Sequence, residues 1–384
     1  MQTFHVVHVH HTAGFQVVPL CRALRGHPRV VVSMHDHSSL CPRYYLLTPQ
    51  GDRCGLFQCQ SACGYSAEYV TEYREAFGEI LRNAAAIIHF SGFSKEAAEI
   101  VYGALTQAQH IPHVLSESAQ GAPITLEPLP SKSAGGELRV AFVGTLAPHK
   151  GLSLAQALAE GGLEGSSVTL RCAIFGDVHG VPEQGRLTIP VKGTYRSIAE
   201  LRAWLEEFKP HVALFPGKCP ETFGLTAEEV SALGIPVMVG PEGGPAERVK
   251  QRGTGWVLGE VSLEECRRVL THILEAPREW EECVKSTHAL RETSPAKWAA
   301  CYRSLYGQMG SQAAPSATEV LRLVSDPGIS AKESWRRIIR RVTSAVVHKG
   351  IIILDGLRVR RLVEHCVRAI LPTRSIERLR ALRH

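Results

Sequence analysis

Residues 216–260 read PGKCPETFGLTAEEVSALGIPVMVGPEGGPAERVKQRGTGWVLGE, and this stretch decides how the rest of the chain is taken. Pro220 and Gly224 punctuate a loop, Leu225 to Leu233 reads as a short helix, and Gly234 stops it. The apolar run Ile235 to Val239 follows as a buried strand. Glu221 then lies in the loop before the helix and Glu229 about one turn inside it, so both carboxylates can face one pocket at different heights. The backbone N–H groups of Phe223, Gly224 and Leu225 point out of the helix N-terminus, where unpaired donors and the helix dipole favour phosphate. Carboxylates repel phosphate, so beside an anion site they are better suited to accept from hydroxyl groups, a ribose on one side of a diphosphate and a sugar on the other. The ligand this suggests is a nucleotide-sugar. The alternative is a surface helix with two ordinary acids.

Outward from that stretch, strands and helices alternate. The strand Phe4 to His10 leads to a helix over Val17 to Leu24, and the run Val30 to Met34 ends at His35, Asp36 and His37. A helix over Glu68 to Asn83, a strand over Ala85 to Phe90 and a helix from Ser94 follow. Ser116 to Glu137 is rich in Ser, Pro and Gly and reads as a linker. A second set runs through strands Leu138 to Val143, Val168 to Phe175 and Val212 to Phe215, with helices Leu152 to Ala159 and Ile198 to Phe208 between them. Helices at 262–275 and 297–309 close it. Such alternation predicts parallel sheets covered by helices, with ligands beyond the carboxyl ends of the strands. Lys150 sits just before Gly151 at a helix entrance, where it can neutralise a leaving diphosphate.

The motif E-T-F-G-L-T-A-E-E-V-S-A-L-G-I-P-V, with G-G-P-A-E and T-G-W-V-L after it, closely resembles the Glu-x7-Glu signature of family 4 retaining glycosyltransferases. The resemblance extends to V-A-F-V-G-T-L-A-P-H-K-G at 140–151 and H-D-H-S-S-L-C-P-R at 35–43. It implies an α/β chain of GT-B architecture, two Rossmann-like domains facing a cleft, with no metal required for catalysis. It implies an N-terminal acceptor-side domain over 1–115, a linker over 116–137, a nucleotide-sugar-binding domain over 138–296, and a helix over 297–310 crossing back. By the same resemblance Glu221 holds donor-sugar hydroxyls, Glu229 accepts from the ribose, and Phe223, Gly224 and Leu225 give backbone donors. Gly243 and Gly244 permit close ligand approach, and His35 lines the sugar from the opposite wall, where a neutral imidazole adds no charge. The family usually has Arg where this chain has Thr145, which keeps a donor without the charge. The family's N-terminal domain also opens with a strand and a Gly-rich loop before the segment matching HVVHVHH, and here Met1 lies almost at that segment. The expectation is a shortened acceptor half: a fragment, an upstream start or a degenerate domain.

The chain of 384 residues, 44% hydrophobic, has room for two domains. Its net charge of +6 is uneven: residues 311–384 carry 15 Lys and Arg against 6 acids. In that tail Trp335, Ile338, Ile339, Val342 and Val346 fall at helical spacing among Arg336, Arg337, Arg340 and Arg341. Leu362, Val363, Cys366 and Ile370 repeat the theme. A basic amphipathic helical tail over 311–384 suits, through 331–384, an anionic membrane surface or a protein partner, whereas nucleic acid has no motif beyond the charge. No run reaches the ~18 apolar residues of a membrane span, and MQTFHVVHVHH has no leader pattern. The expected location is cytoplasmic, with contact at the inner face of the membrane through the tail. Of the 11 Cys, Cys41, Cys54, Cys59 and Cys63 cluster in a Gly- and Gln-rich loop, as ligands of a structural zinc or as free thiols.

The function expected is transfer of a sugar from a UDP- or GDP-linked donor to a glycan or lipid-linked glycan, with retention. The alternatives are a non-catalytic nucleotide-sugar-binding partner of another transferase, or a GT-B epimerase.

Overall fold

The structure, a computed structural model, describes residues 6–12, 17–25, 29–115, 122–180, 187–290 and 295–309, and the backbone of 345–348 and 351–354. Strands β1 (Val6–Val9), β2 (Val30–Ser33) and β3 (Ala86–His89) are buried at every residue, and they pair in parallel with β4 (Ala108–His110) at one side. Burial on both faces is why VVHV, VVVS and AIIH read as continuous β-branched runs rather than alternating ones. Helices α1 (Val17–Leu24), α2 (Ala67–Asn83) and α3 (Gly92–Tyr102) cover this sheet. Ser66 and Ser91 cap α2 and α3, each accepting from the backbone N–H three residues on.

The second sheet contains β5 (Gly136–Val143), β6 (Val168–Phe175), β7 (Val212–Phe215), β8 (Val237–Val239) and β9 (Gly255–Val257), all parallel, in the order β6-β5-β7-β8-β9. Around it lie α4 (Leu152–Gly161), α5 (Ile198–Phe208), α6 (Leu225–Ala232), α7 (Gly244–Arg252), α8 (Leu263–Glu275) and α9 (Pro277–His288). The chain adds β6 on one side of β5 and β7 on the other. Connections therefore diverge beyond the carboxyl ends of β5 and β7 and leave a crevice there, the switch point at which open α/β sheets bind ligands. Two parallel α/β domains of this kind make the architecture GT-B.

Helix α10 (Pro295–Gly307) returns to the first sheet. Its Tyr302 and Leu305 share an apolar cluster with Val6, Val31, Ile88 and Phe90, and Phe223 of the second half enters the same cluster. The buried His8 bonds to Tyr306 Oη at 2.6 Å and to Ser33 Oγ at 2.8 Å, which fixes α10 over β1 and β2. The linker is not free along its length: Ile124 is buried in the core of the second half, and its N–H donates to Leu233 O at 2.7 Å.

Four elements, β4, α7, β9 and α9, are absent from the sequence reading. Strand β4 has only three residues, too few for a periodic signal, and α9 begins at Pro277 directly after α8, so the two read as one helical stretch and a gap. The tail differs more. Spacing places Val346 on a helix with Trp335, yet Ala345–His348 and Ile351–Leu354 form strands β10 and β11. β11 lies parallel to β1 with Val6 opposite Ile351, and β10 runs antiparallel to it. Runs of adjacent β-branched residues favour the pleated backbone, and the β1 edge supplies unpaired N–H and C=O groups to meet it. The remainder of 311–384, with the Arg-rich stretches, lies outside the described residues. No helix among the described residues is long and apolar enough to cross a membrane.

Candidate functional site

A solvent-open pocket occupies the crevice beyond β5 and β7. Val143, Gly144 and Phe215 form its floor, and Thr145, Lys150 and Glu221 bring polar groups to it. Lys150 ends a short 3-10 turn, Pro148–Lys150, and Gly151 follows in the left-handed region at φ +83°. A Cβ there would sit 2.1 Å from Pro216 O, so only glycine lets the lysine turn lie against the loop that carries Glu221. The Lys150 ammonium stands 3.0 Å from Glu221 Oε1. That carboxylate pushes the Lys150 pKa up, with burial opposing it, so the lysine stays charged. Both side chains are 41% exposed, and an ion pair so open to water opens at little cost when a charged ligand arrives.

The 220–224 loop is fixed from both halves of the molecule. His37 Nε2 donates to Pro220 O at 2.7 Å, and Thr222 Oγ1 donates to the carbonyl of His35 at 2.6 Å. Gly244 N donates to Glu221 O at 2.8 Å. Gly243 and Gly244 serve the packing of this loop. A Cβ on Gly243 (φ +92°) would meet Glu221 O at 2.6 Å, and one on Gly244 would meet Thr222 O at 2.5 Å. Their bareness admits the 221–222 backbone, and neither lines the pocket. Gly243→Ala should lower stability by ~1–3 kcal/mol, through strain at a left-handed position plus displacement of the Glu221 backbone. Thermal melting checks this, and an unchanged melting temperature would contradict the close packing.

Phe223 turns its ring into the shared apolar cluster, where it meets His113 at 5.0 Å edge to face, so only its backbone can serve a ligand. Gly224 takes the left-handed conformation at φ +75° and Leu225 starts α6, whose first amides have no carbonyl of their own helix to bond. Thr226, on the first turn, lines the pocket. Glu229 is three residues on and shares that helix face, but it is not among the pocket-lining residues. Its neighbour is Tyr195, whose phenol bonds Thr226 and whose pKa is pushed up to about 12 by burial and by Glu229.

His35 lies at the carboxyl end of β2, on the other side of the 220–224 loop, and its ring is outside the pocket lining. Its Nε2 is 2.8 Å from His10 Nδ1, and its Nδ1 is 3.2 Å from His113 Nε2. Burial and these two imidazoles push its pKa down to about 2, so His35 is neutral at any physiological pH. His11 pairs with Asp36 at 2.7 Å.

The four loop cysteines are gathered in one loop, but as placed they do not converge on a common point. Cys41, Cys54 and Cys59 are buried, Cys63 is half-buried, and all are free thiols. Among the described residues no three His, Cys, Asp or Glu side chains converge as metal ligands. Arg74 reaches Cys59 Sγ at 3.7 Å, and burial, with the neighbouring thiols of the cluster adding to it, pushes the Cys59 and Cys63 pKa values up. The loop is held to the second half at two points: Arg53 pairs with the pocket-lining Glu242 at 2.5 Å, and Tyr45 stacks on His149 at 4.4 Å.

Sequence reading missed Thr226, Cys219 and Glu242 in the pocket and Tyr195 beside Glu229. Thr226 was legible from its three-residue spacing to Glu229. The others reach the site from separate loops, which local pattern does not connect.

No family model matches the sequence, and no curated protein matches it. Among solved structures the chain is similar to Anabaena HepE in complex with UDP, at 16% identity over 73% of this chain and 70% of that one, TM-score 0.48. It is similar to the catalytic domain of starch synthase IV from Arabidopsis thaliana bound to ADP and acarbose, at 12% identity over 79% and 73%, TM-score 0.49. Sucrose-phosphate synthase from Thermosynechococcus elongatus is a third, at 19% identity over 73% and 66%, TM-score 0.45. Likeness at these identities concerns the fold alone, and what the site can do rests on this chain's own residues.

Proposed function

We propose that the chain is a glycosyltransferase, which moves a sugar from a UDP- or GDP-linked donor to a glycan or lipid-linked glycan acceptor with retention of configuration. The observation that carries this reading is the Lys150–Glu221 pair, one cation and one hydroxyl acceptor 3.0 Å apart, in a pocket at the switch point of a parallel sheet. In the proposed reaction the diphosphate takes Lys150 from Glu221. The freed carboxylate accepts from the sugar hydroxyls, the first amides of α6 face the phosphates, and Glu229 accepts from the ribose. The bond between the anomeric carbon and the β-phosphate oxygen breaks with its electron pair on that oxygen, where Lys150 stabilises the charge. The acceptor oxygen bonds to the anomeric carbon on the same face, and its proton passes to the leaving phosphate. His35, held neutral, gives the opposite wall a polar group without a charge. With a lipid-linked acceptor this work takes place at the cytoplasmic face of a membrane, where the basic residues of 311–384 meet anionic headgroups.

The test is proton NMR of the full chain with UDP- and GDP-sugars, with water as the default acceptor. Release of free nucleoside diphosphate with sugar first appearing in the donor's own anomeric form supports the reading. A changed sugar still attached to nucleotide identifies an epimerase instead. Intact donors beside an enzyme that binds them identify a non-catalytic binding protein.

A further inference from the structure

Behind the 221–224 loop lies a buried charge cluster to which the chemistry above gives no task. Arg248 on α7 is 7% exposed and Glu228 on α6 is 4% exposed. Arg248 Nε donates to Glu228 Oε1 at 2.6 Å, and Arg252 Nη1 donates to Glu228 Oε2 at 2.7 Å. Arg248 Nη2 donates to the carbonyl of Phe223, and its guanidinium lies 4.0 Å over the Phe223 ring. Glu228 thus holds the guanidinium by one edge while the other edge grips the backbone just before Gly224.

As a means of joining two helices this cluster is uneconomical. Taking charges out of water costs as much as their attraction returns, and an apolar pair of similar volume holds helices at least as well. What leucine cannot do is donate to a carbonyl. The peptide between Phe223 and Gly224 is planar and trans, so a donor that fixes the direction of the Phe223 C=O also fixes the Gly224 N–H in the opposite direction. Arg248 lies on the α7 side of the loop, and the same helix begins with Gly244, whose N–H holds Glu221 O. One helix therefore sets both ends of the segment: the Glu221 backbone through Gly244 and the orientation of the Gly224 amide through Arg248.

We propose that Arg248, held by Glu228, is a positioning residue that sets the 221–224 loop for the donor's sugar and adjacent phosphate, so that it determines affinity for the nucleotide-sugar more than for the nucleotide alone. This rests on the glycosyl-transfer reading. Arg248 touches no substrate and acts through the backbone it holds. Glu228 acts one step further back, by holding the guanidinium in register. Without the arginine the loop keeps its ties at Pro220, Glu221 and Thr222 and loses the one at Phe223.

The experiment measures dissociation constants for UDP and UDP-glucose, and for GDP and GDP-mannose, by calorimetry on the full chain, with melting temperatures alongside. Three proteins are compared: wild type, Arg248→Lys, and the double variant Glu228→Leu with Arg248→Leu. In the nucleotide series that wild type binds, the ratio of the sugar-nucleotide constant to the nucleotide constant should rise about tenfold in both variants. The double variant should remain folded and melt within a few degrees of wild type, the apolar pair offsetting the ties lost at the Phe223 carbonyl and Arg252, which separates positioning from stability. A wild-type ratio in a well-folded double variant overturns the proposal. Equal weakening of nucleotide and nucleotide-sugar also overturns it, because the cluster would then be supporting the whole pocket. If wild type binds neither nucleotide, the glycosyl-transfer reading has failed and this proposal falls with it; binding in wild type with an unmoved ratio sinks this proposal alone.

Discussion

Lys150→Ala is expected to slow sugar transfer by about 10²–10³-fold, the loss typical of removing one preorganised group from a developing charge. The lysine is the cation in hydrogen-bond contact with Glu221, at the rim where the leaving phosphate would sit. Alanine leaves the Gly151 turn and the Pro216 contact in place, since both belong to backbone. The melting temperature should accordingly stay close to that of wild type, because the lost ion pair is 41% exposed on each side. Glu221→Ala is expected to abolish transfer with the fold intact, for a different reason: it removes the acceptor for sugar hydroxyls and leaves Lys150 charged. The two separate in binding. Lys150→Ala should weaken free UDP or GDP, while Glu221→Ala should leave the free nucleotide bound as well or better. Loss of free-nucleotide binding in both variants alike would sink the division of labour.

Acid should unfold this chain early. Burial pushes His89 and His211 down to about 4, and burial with neighbouring imidazoles pushes His35 to about 2; His8 and His37 are lowered by burial as well. The sign follows from linkage. Above the ordinary value near 6.5 each imidazole is neutral in both states and contributes nothing to pH dependence. Below it the unfolded chain takes up protons that the folded chain refuses, so stability falls with pH until the folded value is reached. Each such histidine removes up to about 1.4 kcal/mol per pH unit in that window. Five of them acting together exhaust an ordinary stability of ~5–15 kcal/mol within a few pH units. Melting followed at pH 7.5, 6.0 and 5.0 should show little change above 6.5 and a steep fall below it. A flat profile from 7.5 to 4.5 would contradict the buried, neutral state of the histidines.

The sites where sequence and structure agree are those in which local pattern and local chemistry coincide. The α6 stretch carries its loop, its stop at Gly234 and its following strand in adjacent residues, and the Lys150 turn is legible from Pro148 and Gly151 alone. What stayed hidden depends on contacts between distant segments. Glu228 looks like a surface acid next to Glu229 until α7 places two guanidiniums on it. Gly243 and Gly244 look like a ligand turn until the Glu221 backbone is seen against them. The spacing of the four cysteines leaves metal ligands and free thiols both open, because it says nothing of where thiols point or of Arg74 beside Cys59. The tail follows period 3.6 in sequence, and Val346 satisfies that period by coincidence: its pairing with Ile353 sets its conformation.

The central claim, a nucleotide-sugar site built on Lys150, Glu221 and Glu229, is tested most directly by calorimetric titration of the full chain with UDP and GDP beside Lys150→Ala and Glu229→Ala. The account expects saturable binding of one of the two nucleotides, weakened by the lysine variant through the diphosphate and by the glutamate variant through the ribose. A well-folded wild-type chain that binds neither, or one whose binding both variants leave untouched, would contradict it.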